Sequence, residues 1–256
     1  MRSFCLGSGS SGNCFYVESQ KNKCFLVDLG FSFKRINEIL SDKGVDIHML
    51  DGVFLTHEHS DHCVGIKGFV KNVKGVKIYL TKGTFLALKL KDDDRFVFVK
   101  EHDVVKIEDM KIFVVSKSHD AKEPVSFVFE NNGVKTGIFT DLGYVGSQIK
   151  QVLKSVDVLY LESNYCNEII KNSSNKLNYN YVNRVLSDVG HLSLKDARDV
   201  LSEVAHSGQR VVLSHISQNT NSYENVYVKI GEMFEKLEKN IDFSISFQNE
   251  PTEWFE

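Results

Sequence analysis

The stretch Asp51-Gly52-Val53-Phe54-Leu55-Thr56-His57-Glu58-His59-Ser60-Asp61-His62 passes from an apolar run straight into three histidines and two acids. DGVFL reads as a buried strand, since a short apolar run bounded by turn residues fits a strand covered on both faces. On an extended segment, residues two apart point to the same side. His57 and His59 therefore converge at the end of the strand while Glu58 faces away. Asp61 and His62 follow where the chain turns into a helix, and they can address a second point nearby. Imidazole nitrogen and carboxylate oxygen suit zinc and related divalent ions. A single histidine here would read as part of a wet turn. Three with an aspartate behind a buried strand read as metal ligands.

Four ligands from one loop do not close two metal sites, so further ligands are required downstream. Three residues stand where apolar runs end: His119 after KIFVVSKS, Asp141 after TGIFT and His215 after VVLS. Each alone reads as an ordinary loop residue. Together they supply what the first cluster lacks.

Outward from these positions, CFYVES and KCFLVD read as paired strands, followed by a helix in FKRINEILSDKG. HCVGIKGFVK reads as helical, and KIYL, RFVFV, KIFVVS, VDVLYLE and VVLS as strands. VSFVFENNGVKTGIFT is two strands around an Asn-Gly turn, the strongest short hairpin signal. LKDARDVLSEVAHSG is a helix opened by the capping box Ser193-x-x-Asp196. Strands dominate the first half and helices gain towards the end, which predicts an α/β fold of two sheets covered by helices in four layers. With two prolines and no low-complexity linker, residues 1–256 are expected to form one domain.

Composition narrows the function. The 256 residues are 42% hydrophobic and 25% charged, ordinary for a globular chain. A net charge of −3 supplies no global field for nucleic acid, so any polyanion must be drawn by a local patch or a bound cation. The five cysteines, Cys5, Cys14, Cys24, Cys63 and Cys166, form no C-x-x-C pair and suggest a reducing compartment. No run of about 18 apolar residues occurs, so a soluble cytoplasmic protein without a membrane partner is expected.

The order H-x-H-x-D-H, a lone His, an Asp after a strand and a late His resembles the metallo-β-lactamase superfamily over nearly the whole chain. That resemblance implies an αββα sandwich with a dinuclear site at the rim between the sheets. His57, His59 and His119 would hold one divalent ion (zinc, manganese or iron), Asp61, His62 and His215 the other, and Asp141 would bridge them. Two dications outweigh these carboxylates, so the site itself could attract an anion on an acidic protein. Asp141 and His215 lie too close in sequence for the β-CASP insert of RNase J-like nucleases. LGSGSSGNCFYVE, THEHSDHCVGI, FTDLG, LESNYC, GHLS and LSHIS resemble, more narrowly, the bacterial YycJ family, also called WalJ or VicX. This implies a DNA exonuclease acting from 5′ ends, with Asp61 orienting the nucleophile and His191 assisting the leaving group. A thioesterase or small cyclic-phosphodiester hydrolase of the same fold is the alternative, and a module with a purely structural metal a third.

Supporting residues carry a plainer reading beside the functional one. Ser8, Ser10, Ser11 and Asn13 sit among Gly7, Gly9 and Gly12, either as a tight hairpin or as a polar nest near a phosphate. His191 precedes a helix N-terminus, where anions are favoured. Glu162 and Asn164 follow VDVLYL as support for the site, as substrate contacts or as a strand-end turn. Lys67, Lys71, Lys74 and Lys77 recur near helical spacing, as a solvated face or a phosphate track. Lys171, Lys176 and Arg184, interleaved with Tyr179 and Tyr181, suit a surface helix or a single-strand track.

Overall fold

In the computed structural model, residues 1–173 and 177–255 are described, so Lys176 lies outside the described residues. The first sheet holds β1 (Arg2–Gly9), β2 (Gly12–Glu18), β3 (Cys24–Val27), β4 (Gly52–Phe54), β5 (Lys77–Leu80) and β6 (Phe96–Phe98), in that spatial order. The second holds β7 (Val104–Ile107), β8 (Met110–Ser116), β9 (Val125–Asn131), β10 (Val134–Phe139), β11 (Val158–Glu162), β12 (Arg210–Ser214) and β13 (Asp242–Ile245), neighbours again following sequence order. The helices are α1 (Phe33–Asp42), α2 (Ser60–Cys63), α3 (Ile66–Asn72), α4 (Lys82–Ala87), α5 (Ser147–Leu153), α6 (Asn167–Ser173), α7 (Tyr179–Val185), α8 (Leu194–Val204) and α9 (Tyr223–Leu237).

Strand alternation builds the layers. Cys14 and Tyr16 of β2 face one way, into a core with Ile36 and Leu40 of α1 and Phe69 of α3. Phe15 and Val17 face the other way, into an aromatic core between the sheets with Phe54, Phe127, Phe129 and Tyr160. Leu159 and Leu161 of β11 point outward onto Leu153 of α5, Leu201 of α8 and Ile230 of α9. Three apolar layers thus separate helix, sheet, sheet and helix, the expected αββα sandwich. Strands buried on both faces account for the unbroken apolar runs in the sequence.

The Asn-Gly hairpin forms as read, with Asn131 paired to Val134 and positive φ at Asn132 (50°) and Gly133 (83°). Ser193 caps α8, accepting from the Asp196 amide at 2.9 Å. HCVGIKGFVK is two short helices rather than one, interrupted at Val64 and Gly65. Lys77 opens β5, so the four lysines do not share a helix face. No described helix is long and apolar enough to cross a membrane.

β3, β4 and β5 are parallel, as are β10, β11 and β12, and β8 runs the same way through antiparallel β9. Their C-terminal ends share a rim, the usual side for ligands in such sheets. There the loop after β3 passes so close to the α2 segment that a Cβ on Gly30 would stand 1.9 Å from the Asp61 carbonyl and 2.3 Å from the Asn13 amide. Both neighbours are backbone and cannot rotate aside. Gly30→Ala is therefore expected to cost about 1–3 kcal/mol by overpacking. A melting temperature lowered by about 2–12 °C should be read by calorimetry or circular dichroism; an unchanged melt would show that this approach is not tight in solution.

Candidate metal centre

Six strand ends deliver the polar residues of the rim. Asp28 follows β3 and His57 follows β4, while His119, Asp141 and His215 stand beyond β8, β10 and β12, and Glu162 closes β11. Asp28, Asp141 and His215 have φ of 62°, 56° and 53°. Left-handed backbone is uncommon outside glycine, with Asn, Asp and His enriched there. At these positions it turns the chain sharply enough to keep each side chain at the rim. Glu58 turns away, accepting the Lys122 amide at 2.9 Å, as the alternation required.

The seven predicted ligands come together. His59 Nδ1 lies 3.1 Å from His57 Nε2 and 3.1 Å from His119 Nε2. Atoms about 2.1 Å from a tetrahedral zinc stand about 3.4 Å apart, so three nitrogens at this spacing face a common centre. Asp61, His62, Asp141 and His215 form a second group, with donor atoms within 4.8 Å of one another. Asp141 joins the two: Oδ2 is 3.0 Å from His62 Nε2, and Oδ1 is 3.6 Å from His119 Nε2.

Hydrogen bonds at the far side of each ring fix which nitrogen is offered. His119 Nδ1 donates to the Gly190 carbonyl at 2.9 Å, freeing the Nε2 lone pair. His62 Nδ1 meets Asp28 Oδ2 at 2.6 Å, and His215 Nδ1 meets Glu162 Oε1 at 2.8 Å. Carboxylate–histidine pairs of this kind orient metal ligands and raise their basicity. Asp28 is held in turn by the Thr56 amide at 2.8 Å and by the Thr56 hydroxyl.

Asp141 Oδ2 tests the fit of a metal. It is buried and has no hydrogen-bond partner, although His62 Nε2 is near. With Nδ1 donating to Asp28, a neutral His62 presents a lone pair to a carboxylate lone pair, and two acceptors so close need a cation. The donor set fits a divalent ion there. Burial opposes charge on His62, but Asp141, Asp28 and Asp61 outweigh it and raise its pKa well above the usual range. His215 is likewise raised, to about 10, against its burial and by Asp141, Asp61 and Glu162. Burial lowers His57 well below its usual value and His119 to about 4, so both lone pairs stay available near neutral pH.

Asp141, Glu162, His191 and His215 also fall within ligand distance of one another. Glu162, however, is already saturated. Its Oε1 accepts from His191 Nδ1 and His215 Nδ1, each at 2.8 Å, and its Oε2 accepts the Leu142 and Leu192 amides at 2.7 and 3.0 Å. Burial opposes the charge on Glu162, yet His191 and His215 hold its carboxyl down at about 2. It orients two histidines instead of binding an ion.

The predicted substrate contacts divide. Ser10, Asn164 and His191 line a cleft of about 320 Å³ beside His59, Asp61, Asp141 and His215. Ser8 does not: it is fully buried, its hydroxyl donating to Asn13 Oδ1 at 2.7 Å and accepting the His215 amide at 2.9 Å. Asn13 is buried too, its Oδ1 accepting from Gly9 and its Nδ2 3.1 Å from His62 Nε2. These two brace ligands and are closed to substrate. Ser11 is exposed and gives its amide to Gln248 at 2.8 Å, outside the cleft lining. Asn164 also donates to the His215 carbonyl at 2.9 Å.

Two members of the site went unread in the sequence. Asp28 ends KCFLVD as Asp141 ends TGIFTD, and the same strand-end signal pointed to it. Lys117 is buried behind the cluster and donates to the Thr140 carbonyl at 2.7 Å. Burial lowers its pKa, against the pull of Asp141, Asp28 and Glu162. Only its closeness to His119 along the chain hinted at it.

A family model described as the β-lactamase superfamily domain matches residues 24–216. The chain is 31% identical over 237 residues to exodeoxyribonuclease YycJ of Bacillus anthracis, covering 90% of this chain and 88% of that one. It is 30% identical over 250 residues to exodeoxyribonuclease WalJ of Streptococcus pneumoniae D39, covering 94% and 91%. The metallo-β-lactamase fold protein YhfI from Bacillus subtilis superposes with a TM-score of 0.73 at 16% identity, over 98% of this chain and 99% of that one. With a rim that fits two ions between facing sheets, the chain belongs to the metallo-β-lactamase superfamily of hydrolases, in the branch of the YycJ and WalJ proteins.

Proposed function

We propose that the chain is a dinuclear metal-dependent phosphodiesterase that degrades DNA from 5′ ends. The observation that carries this reading is Asp141, a buried carboxylate set between two groups of ligand nitrogens, in a chain related to two exodeoxyribonucleases. His57, His59 and His119 would hold one ion and Asp61, His62 and His215 the other, with Asp141 standing between the two groups. Zinc, manganese and iron all suit this donor set. Bound there, such ions supply Lewis acidity and make water acidic enough to react near neutral pH.

The protein's own groups supply the remainder. Asp61 Oδ2, 3.4 Å from His62 Nε2 and 3.5 Å from His215 Nε2, is placed to orient an attacking water. Hydrolysis forms a bond from water oxygen to phosphorus and breaks the bond from phosphorus to the leaving sugar oxygen, which takes up a proton. His191 lines the cleft with Nδ1 committed to Glu162, so Nε2 is the atom that exchanges that proton. Ser10 and Asn164 flank the phosphate. The small volume of the cleft also suits a compact cyclic phosphodiester, the second reading.

One preparation decides between them: metal content per chain, with digestion of end-labelled single- and double-stranded DNA and RNA beside a cyclic dinucleotide. Loss of label from DNA 5′ ends supports the exonuclease; hydrolysis of the small ester alone selects the second reading. Asp61→Ala and His62→Ala should each abolish turnover while the circular dichroism spectrum survives, and full activity in either would end this mechanism. Asp28→Ala should weaken metal binding by about 10–100-fold, because His62 loses the group that orients it. Competition with a chromophoric chelator measures this, and unchanged affinity would remove Asp28 from the site.

A further inference from the structure

Arg184 and Tyr181 line the same cleft, yet the hydrolytic chemistry gives them no role. Both stand on α7, three residues apart and so on one face. Asn178 caps that helix, its Oδ1 accepting the Asn180 and Tyr181 amides. Val185 anchors it in a small apolar cluster with Tyr165 and Ile170, against which Tyr181 packs. Arg184 is the one lysine or arginine among the lining residues. It holds the Asp120 carboxylate side-on through Nε and Nη2, and among the described residues Nη1 makes no hydrogen bond. Asp120 Oδ1 lies 3.0 Å from Arg184 Nη2 and 3.4 Å from His119 Nε2, which puts those two nitrogens no more than 6.4 Å apart.

We propose that Arg184 and Tyr181 form the pocket for the terminal, 5′-phosphorylated nucleotide of the DNA strand, an inference that rests on the exonuclease reading. A cleft of about 320 Å³ stands at the small end of ligand sites, with room for about one nucleotide. A strand engaged there must present an end. A guanidinium matches phosphate geometry through parallel N–H groups, and Nη1 is the donor left for it. The Tyr181 ring offers a face on which a terminal base stacks without sequence preference. Asp120 is a positioning residue: it clamps the other edge of the fork and keeps Arg184 beside His119. An end without phosphate leaves Arg184 with Asp120 alone, so the pocket discriminates by charge.

Steady-state kinetics on 3′-labelled single-stranded DNA bearing a 5′-phosphate or a 5′-hydroxyl test this. The wild type should show a KM about tenfold lower for the phosphorylated strand, the scale of one charge-assisted contact. Arg184→Gln should erase that preference by raising KM on the phosphorylated strand, with kcat changed far less, and Arg184→Lys should restore part of it. Tyr181→Ala should raise KM on both strands. Metal content and melting temperature of each variant separate a lost contact from a lost fold, and thymidine 5′-monophosphate should inhibit the wild type more strongly than Arg184→Gln. A wild type that degrades both strands equally, or an Arg184→Gln enzyme that keeps the preference, overturns the end pocket alone. A metal-loaded wild type that leaves both strands intact overturns the nuclease reading and the pocket with it.

Discussion

The site depends on chain reversals at the rim, where strands stop on aspartates and a histidine held in a left-handed backbone. Asp28, Asp141 and His215 each hold a left-handed backbone immediately beyond a strand or one residue further on. Such a conformation costs on the order of 1–3 kcal/mol per residue and persists only where surroundings enforce it. Here they do. The Asp28 amide bonds to the Phe54 carbonyl, the His215 amide to Ser8, and the Leu142 amide beside Asp141 to Glu162. The packed sheets supply the stability that holds the reversals, and the reversals gather ligands from remote parts of the chain.

The gathered groups carry an electrostatic division. On one side, buried imidazoles of low basicity keep their lone pairs open at neutral pH, as at His57 and His119. On the other, Asp61, Asp141, Asp28 and Glu162 crowd His62 and His215, and an excess of negative charge calls for cations. Lys117 meets part of that demand from a largely buried position. The cleft side is where divalent ions would complete the balance.

Most of this was legible in the sequence, because the ligands stand at strand ends and the strands are apolar enough to recognise. The loop His57–His62, the Asn132-Gly133 turn and the Ser193 cap are local signals, and each forms as local chemistry directs. What was missed depends on tertiary partners. Ser8 and Asn13 read as either a tight hairpin or a polar nest, and the hairpin forms, but their burial follows from β1 lying against the loop that bears His215, which no window of sequence contains. β13 is a four-residue strand, half-buried at the end of the sheet, too short for alternation to mark it. At the break in HCVGIKGFVK the Gly65 amide bonds to the Leu29 carbonyl at 2.8 Å instead of continuing the helix, and the Phe31 carbonyl stands 2.3 Å from where a Cβ would be.

Glu162 gives one oxygen to two rings. His191 and His215 both end on Oε1, so a ring that lines the cleft and a ring of the second group of potential metal ligands draw on a single oxygen. A divalent ion held at His215 Nε2 would draw electron density from that ring and strengthen its Nδ1–H hydrogen bond to Glu162. The two imidazoles are thus coupled through one atom, and any shift of the Glu162 carboxylate would move both of them.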